Sequence, residues 1–238
     1  MDLAIVIPVL NEAENLASLL EEITTALTGQ TGYEIIVVDD GSTDATRDEL
    51  SRCLERYPIL RVIHHRTRSG QSAAIATGVD AARTGWIVTL DGDGQSDLGD
   101  ILRFYRTLRE APADVGLVIG HRVQRRDTLL KLLSSRIANR VRAWVLGDDT
   151  PDSACGLKAF ARETFMYLPR FDHMHRFLPA LVHRQGARVL SLEISHRERS
   201  GGRSKYGVNN RLWVGIVDLL GVWWLKRRAL RPVVEKRG

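Results

Sequence analysis

Over its first ninety residues the chain alternates apolar runs of strand length with stretches of helical spacing, and this alternation restricts the fold more than any other feature. Leu3–Val9, Tyr33–Val38, Leu60–His64 and Trp86–Leu90 are short runs rich in Val, Ile and Leu. Between the first two, Leu16, Leu19, Leu20, Ile23 and Leu27 recur three or four residues apart, as the buried face of a helix requires. Further helices are predicted near Ala45–Tyr57, Gln71–Arg83 and Leu98–Glu110, and a fifth strand at Val115–Gly120. Strands apolar on both faces and separated by helices belong to a mostly parallel sheet covered on both sides. The first 120 residues therefore read as one doubly wound, Rossmann-like α/β unit.

Beyond Gly120 the rhythm changes. A basic helical stretch at Leu129–Leu146 precedes an Asp-rich loop, Gly147–Cys155; strands are predicted at Leu157–Ala161 and Arg188–Ile194, with a helix over Asp172–Arg184 between them. A last helix begins near Val208. With no internal repeat and no long linker, residues 1–206 are expected to form one body, with a nucleotide-sugar half (1–120) and an acceptor half (121–206), followed by a basic amphipathic segment at 207–238. Of 238 residues, 44% are hydrophobic and only 20 are Gly and 7 Pro, which excludes low-complexity and wholly disordered chains. Cys53 and Cys155 are the only cysteines, too few for a disulfide framework and not spaced for zinc, so a reducing compartment is expected. Pro8 and Asn11 break the first apolar run, unlike a secretory signal, and Asp218 interrupts the longest late one, Leu212–Leu225, so no membrane-spanning helix is expected.

The net charge of +5 is unevenly placed. From His196 onward eleven basic side chains face three acidic ones, whereas residues 1–195 carry a slight acidic excess. A basic end on a mildly acidic body suits an anionic partner met from one side, either ligand phosphates or a lipid surface. The basic residues are not interleaved with stacking aromatics, so no nucleic-acid partner is expected.

In an open α/β sheet, ligands bind beyond the carboxyl ends of the strands. The loops there are polar and acidic: Pro8-Val9-Leu10-Asn11-Glu12 after the first strand, Asp39-Asp40-Gly41-Ser42-Thr43-Asp44 after the second, and Asp91-Gly92-Asp93-Gly94-Gln95 after the fourth. Neither GxGxxG nor GxxxxGK[ST] is present, which argues against dinucleotide oxidoreductases and P-loop NTPases. Carboxylates need a mediator to hold an anion, and a divalent cation supplies it: Asp91 and Asp93 flank one glycine and can reach one hard ion whose other sites are filled by diphosphate and water. In isolation the same Asp-Gly-Asp also suits a plain turn, and Asp44 suits a helix cap.

The segments IVIPVLNEAENL, IIVVDDGSTDAT, SGQSAAIATG and TLDGDGQSD, in this order and spacing, resemble the family 2 glycosyltransferases of GT-A fold, and more narrowly their polyprenyl-phosphate, dolichol-phosphate mannose synthase-like branch. GHRVQRRD, DSACGLKAFAR and HRERSGGRSKYG are similar to that branch's acceptor-side motifs. The resemblance implies inverting transfer of a sugar from a UDP- or GDP-linked donor to a polyprenyl phosphate. It implies that Pro8, Asn11 and Glu12 line the nucleotide pocket and that Asp39 hydrogen-bonds the base, with Asp40 supporting that loop. Asp91 would lie near ribose and metal, Asp93 would ligate Mg²⁺ or Mn²⁺, and Gln95 would stand close to the metal. Asp152 matches a family carboxylate that acts as base or orients an arginine. Arg122, Arg197, Arg199, Arg203 and Lys205 are candidates to hold the acceptor phosphate, because Arg matches phosphate bidentately.

The same branch acts at membranes. Leu212, Trp213, Ile216, Leu219, Leu220, Trp223 and Trp224 are expected on one helical side, with Lys226, Arg227 and Arg228 at its end, as in a helix lying in the bilayer interface. Peripheral, monotopic attachment at the cytoplasmic face is expected, with room for a homo-oligomer. The alternative is a family 2 transferase acting on a soluble or polysaccharide hydroxyl, which would need a true general base.

Overall fold

The computed structural model describes residues 2–122, 140–195 and 209–229, the last stretch with side chains from 215 onward. Seven strands form one sheet in the order β3-β2-β1-β4-β6-β5-β7: β1 Leu3–Val9, β2 Tyr33–Asp39, β3 Leu60–His64, β4 Trp86–Thr89, β5 Val115–Arg122, β6 Lys158–Ala161 and β7 Arg188–Ile194. Pairings β1–β2, β1–β4, β2–β3 and β5–β7 are parallel, while β6 runs antiparallel to both β4 and β5. The mostly parallel α/β sheet expected from the sequence is present. Its order adds that β5 does not neighbour β4: β6, from well beyond residue 120, is inserted between them.

Helices α1 Ala13–Leu27, α2 Thr46–Arg56, α3 Gln71–Ala81 and α4 Asp100–Glu110 link the strands. The face of α1 that the spacing picked out, Leu16, Leu19, Leu20, Ile23 and Leu27, is the buried one. Each such side chain contributes about 1.5–3 kcal/mol by leaving water. Helix α3 sits unusually close to the sheet because Gly78 has no Cβ; one added there would overlap Val6 and crowd Val38. That closeness brings the N-terminal end of α3 to the rim where the acidic loops lie.

After β6 come α5 Arg162–Met166, α6 Leu178–Arg184 and α7 Asn209–Arg227. The single helix expected over Asp172–Arg184 is broken: His173 is left-handed (φ 62), Met174–Arg176 form one 3₁₀ turn, and Pro179 stands in the first turn of α6. A proline inside a continuous helix would clash with the carbonyl four residues back, so α6 starts afresh around it. Of the helix expected over Leu129–Leu146, residues 140–146 are described and helical.

Candidate active site

At the carboxyl rim, the loops after β1 and β2 are fastened to each other. Asn11 adopts φ 54, which Asn tolerates, and so turns its backbone N–H to Ser42 Oγ (2.8 Å) while its Oδ1 accepts from the Thr43 amide (2.7 Å). The Glu12 amide donates to Thr46 Oγ1 (2.9 Å), and Asn15 donates to the Glu12 carboxylate (2.7 Å). Pro8, half-buried, is the penultimate residue of β1 beside them. Asp40, 4% exposed, accepts from the amides of Ser69 and Gly70 and contacts His65 Nδ1, each at 2.8 Å. Its work is to hold the loop that leads into α3. Asp44 accepts from the Thr46 amide (3.0 Å), a local turn before α2 rather than its cap, which falls at Ala45.

Asp39 is buried at the end of β2. It is 0% exposed; Oδ1 accepts from the Ser42 amide and Oδ2 faces His64 Nδ1, both at 2.9 Å. Burial alone would raise its pKa, but the hydrogen bonds of Ser42 and His64 outweigh that and hold the carboxyl below its ordinary value. The side chain that stands at the rim here is His64, one-third exposed.

Beyond β4, Gly92 lets the Asp91-Gly92-Asp93 loop lie against the end of β1, where a Cβ would come within 2.7 Å of Val9 Cγ1. Asp91, Asp93 and Gln95 are all half-buried at this rim. Gln71, the first residue of α3, donates to Asp91 Oδ1 (2.8 Å), and the Gln95 amide donates to Asp93 Oδ1 (3.2 Å). Burial first, and the Asp93 carboxylate second, push the pKa of Asp91 up, against the pull of Lys158, Arg122 and Gln71. A carboxyl whose charge is disfavoured by burial and by a neighbouring carboxylate is a fit setting for a hard cation. Among the described residues no group of three His, Cys, Asp or Glu side chains converges, so the cation's remaining sites would fall to other oxygens.

The residues beyond β5 meet this loop through β6. Thr89 Oγ1 donates to the Gly156 carbonyl (2.9 Å), and any Cβ on Gly156 would overlap the Asp91 carboxylate. Lys158, 3% exposed, donates to the Cys155 carbonyl, and burial pushes its pKa down. Arg122, the last residue of β5, grips Asp152 with two parallel hydrogen bonds, Nε to Oδ2 at 2.6 Å and Nη2 to Oδ1 at 2.9 Å. The side chains are 20% and 5% exposed. A second buried pair, Arg142 and Asp148 at 3.3 Å, backs the first. Behind α3, Ser72 hydrogen-bonds His175 Nδ1 (2.7 Å), and burial pushes that histidine's pKa down to about 3.

Pro8, Asn11, Glu12, Asp39, Asp91, Asp93, Gln95, Arg122 and Asp152 are thus gathered at the carboxyl rim, whereas Arg197, Arg199, Arg203 and Lys205 lie outside the described residues. Sequence reasoning passed over His64, Gln71, Gly156 and Lys158. The last three sat inside quoted motifs, SGQSAAIATG and DSACGLKAF, but only the placement of the start of α3 and the pairing of β4 with β6 show that they gather around Asp91.

Helix α7 departs from a one-sided face. Leu219, Val222 and Trp223 pack toward the core, Val222 at 1% exposure, while Val217, Leu220 and Trp224 are 66%, 57% and 55% exposed. Apolar residues therefore occupy two sides of the helix, one for the core and one for the outside. Asp218 bonds His173 (3.0 Å), and Lys226 donates to the Leu146 carbonyl, joining α7 to the 140–146 helix, whose Trp144 is 86% exposed. Among the described residues no helix is long and apolar enough to cross a membrane.

A mostly parallel sheet with one reversed strand and paired carboxylates after β4 is the frame of a nucleotide-sugar transferase. Residues 4–168 match the model of glycosyl transferase family 2, and the chain belongs to that family. It is 34% identical to a dodecaprenyl-phosphate galacturonate synthase of Rhizobium johnstonii, over 98% of this chain and 69% of that one. It is also 34% identical to an undecaprenyl-phosphate 4-deoxy-4-formamido-L-arabinose transferase of Serratia proteamaculans, over 86% of this chain and 63% of that one. Among solved structures, a mannosyltransferase of Pyrobaculum calidifontis in complex with GDP-Man and Mn²⁺ superposes with a TM-score of 0.67 at 21% identity, covering 97% of this chain and 65% of that one. A glucosyl-3-phosphoglycerate synthase of Mycobacterium tuberculosis, in complex with Mn²⁺, UDP-glucose and glycerol 3-phosphate, gives 0.66 at 16% identity over 94% of this chain and 79% of that one. The fold is GT-A.

Proposed function

We propose that this chain transfers a sugar, with inversion, from a UDP- or GDP-linked donor to a polyprenyl phosphate at the cytoplasmic membrane surface. The observation that carries the acceptor is the commitment of Asp152. With both oxygens held by Arg122, it is placed to orient that arginine rather than to take a proton. An acceptor that arrives as an anion fits such a site, and a phosphate monoester, with a second pKa near 6, is already ionised at neutral pH. The names of the relatives support the same acceptor class.

Pro8, Asn11, Glu12 and Asp39 frame the nucleotide pocket in this reading. Asp91 and Asp93, with Gln95 beside them, would hold Mg²⁺ or Mn²⁺, which when bound neutralises charge on the departing diphosphate. Arg122 screens and orients the incoming phosphate. Arg197, Arg203 and Lys205 are assigned to the same task because HRERSGGRSKYG resembles an acceptor-side motif. A phosphate oxygen then attacks the anomeric carbon as the bond to the diphosphate breaks, and the nucleoside diphosphate leaves with the electron pair. The outer side of α7 with Trp144, flanked by Arg227 and Arg228, would rest on anionic headgroups.

Transfer of radiolabel from a panel of UDP- and GDP-sugars to undecaprenyl phosphate, with Mn²⁺ and extraction into organic solvent, tests the proposal. Donor-specific label in the lipid phase is expected. Donor hydrolysis without lipid label would remove the polyprenyl acceptor.

A further inference from the structure

Helix α3 is gripped at both ends by the stretch that follows β6. At its carboxyl end Arg162 donates to the Val79 and Asp80 carbonyls (2.9 and 3.0 Å), and Arg170 binds the Asp80 carboxylate through two hydrogen bonds of 2.6 Å. At its amino end the 3₁₀ turn Met174–Arg176 closes on Ser72. The His175 amide donates to Ser72 Oγ (3.2 Å), and His175 Nδ1 hydrogen-bonds the same oxygen (2.7 Å). Ser72 and His175 are 3% and 9% exposed, so bulk water does not compete for either. Gly70, just before the helix, fits so closely that a Cβ would stand 3.2 Å from Asp172 Oδ1. Burial pushes the pKa of His175 down to about 3, so the ring is neutral and adds no charge that would repel a cation nearby.

Between Gly70 and Ser72 stands Gln71, whose amide donates to Asp91 Oδ1 (2.8 Å). An ionised carboxylate offers about four lone-pair sites; the amide takes one and fixes the plane in which the others lie. Gln71 has a long, flexible side chain, and its aim depends on where the first turn of α3 is held. We infer that His175 is a positioning residue for the metal-binding carboxylate: by pinning Ser72 it fixes the start of α3, and with it the Gln71 amide that orients Asp91. The inference rests on the metal role proposed above for Asp91 and extends the support of that carboxylate to a buried histidine far along the chain. His175 acts through Ser72 and Gln71 and touches no reacting atom.

Binding of Mn²⁺ to the full chain with UDP or GDP present, read from the loss of the free ion's electron paramagnetic resonance signal, tests this without turnover. Gln71→Met should weaken Mn²⁺ binding by about tenfold, as loss of an outer partner of a metal ligand does. His175→Leu and Ser72→Ala should each weaken it by about threefold to tenfold, the worth of one buried hydrogen bond. His175→Asn, whose side-chain amide reaches the place of Nδ1, should recover most of the wild-type affinity. Arg170→Gln, which loosens only the far end of α3, should leave it unchanged. The double variant His175→Leu with Gln71→Met should bind no more weakly than Gln71→Met alone, because both lie on one line of contact, whereas a merely structural histidine would add its loss to that of Gln71. Additive losses, an equal loss in Arg170→Gln, unchanged binding in His175→Leu, or wild-type or tighter binding in Gln71→Met would overturn the inference and leave the metal role standing. If the wild type binds no Mn²⁺ with either nucleotide, the metal role falls and the inference with it. Should His175→Leu fail to fold, Ser72→Ala, alone and combined with Gln71→Met, carries the same decision.

Discussion

The two halves of the rim are held in different ways. Around the loops after β1 and β2, polar side chains are fixed mainly by backbone amides, a hydroxyl and imidazoles: Asp40 by Ser69, Gly70 and His65, Asp39 by Ser42 and His64, Asn11 by Ser42 and Thr43. Around β5 and β6, charge is fixed by charge: Arg122 with Asp152, Arg142 with Asp148, and the buried Lys158 nearby. A cradle of amides fixes a carboxylate's position without adding a second charge. Buried ion pairs leave an uncompensated charge when either partner is disturbed, so they make a site sensitive to the charge of what enters it.

That contrast can be tested from its largest effect downward. Asp93→Ala should reduce metal-dependent transfer by on the order of a thousandfold while circular dichroism and melting temperature stay near wild type; full activity would strip Asp93 of its metal role. At the junction of the halves, Gly156→Ala should cost about a hundredfold in kcat/KM by displacing Asp91, and an active variant would show that the carboxylate's placement does not matter. On the acceptor side, Asp152→Asn and Arg122→Lys should each lose about tenfold to a hundredfold, with the double variant little worse than either. Additive losses would mean that the two residues act separately, and a far larger loss for Asp152→Asn would restore it as a base.

Smaller effects probe the supports. His175 binds its proton only near pH 3 when folded but near 6.5 when unfolded. The unfolded state therefore holds the extra proton between those values, and stability should decline as pH falls from about 6.5 toward 3, by up to about 1.4 kcal/mol per pH unit. Denaturant midpoints for wild type and His175→Asn across that range should converge at acid pH; parallel curves would show that this histidine does not drive the decline. Least of all, Arg227→Glu with Arg228→Glu should weaken sedimentation with anionic liposomes by about 1 kcal/mol per residue at low salt, and unchanged sedimentation would take α7 off the bilayer.

The donor half was legible because its signals are local. Each strand, its loop and the next helix follow one another in the chain, so Leu3–Val9 and Tyr33–Val38 announced both the sheet and the positions of Asn11 and Asp39. The acceptor half depends on meetings between distant residues. Nothing in local periodicity says that β6 reverses direction between β4 and β5, and without that fact Gly156 cannot be seen beneath Asp91 or Lys158 near it. The same holds for α7, where spacing marked apolar positions but could not divide Val222 and Trp223, which pack inward, from Val217 and Trp224, which do not. His64 was missed for a subtler reason: a histidine ending an edge strand carries no signal until its partner is known to be buried.

The reversal of β6 also bears on how such a chain can diversify. The backbone leaves the active rim at Arg122 and returns to it at Gly156, so the intervening residues form an excursion that begins and ends in the same place. Insertions or deletions within it need not shift the register of any strand. Sequence change between residues 122 and 156 can therefore accumulate without altering the loops after β1, β2 and β4.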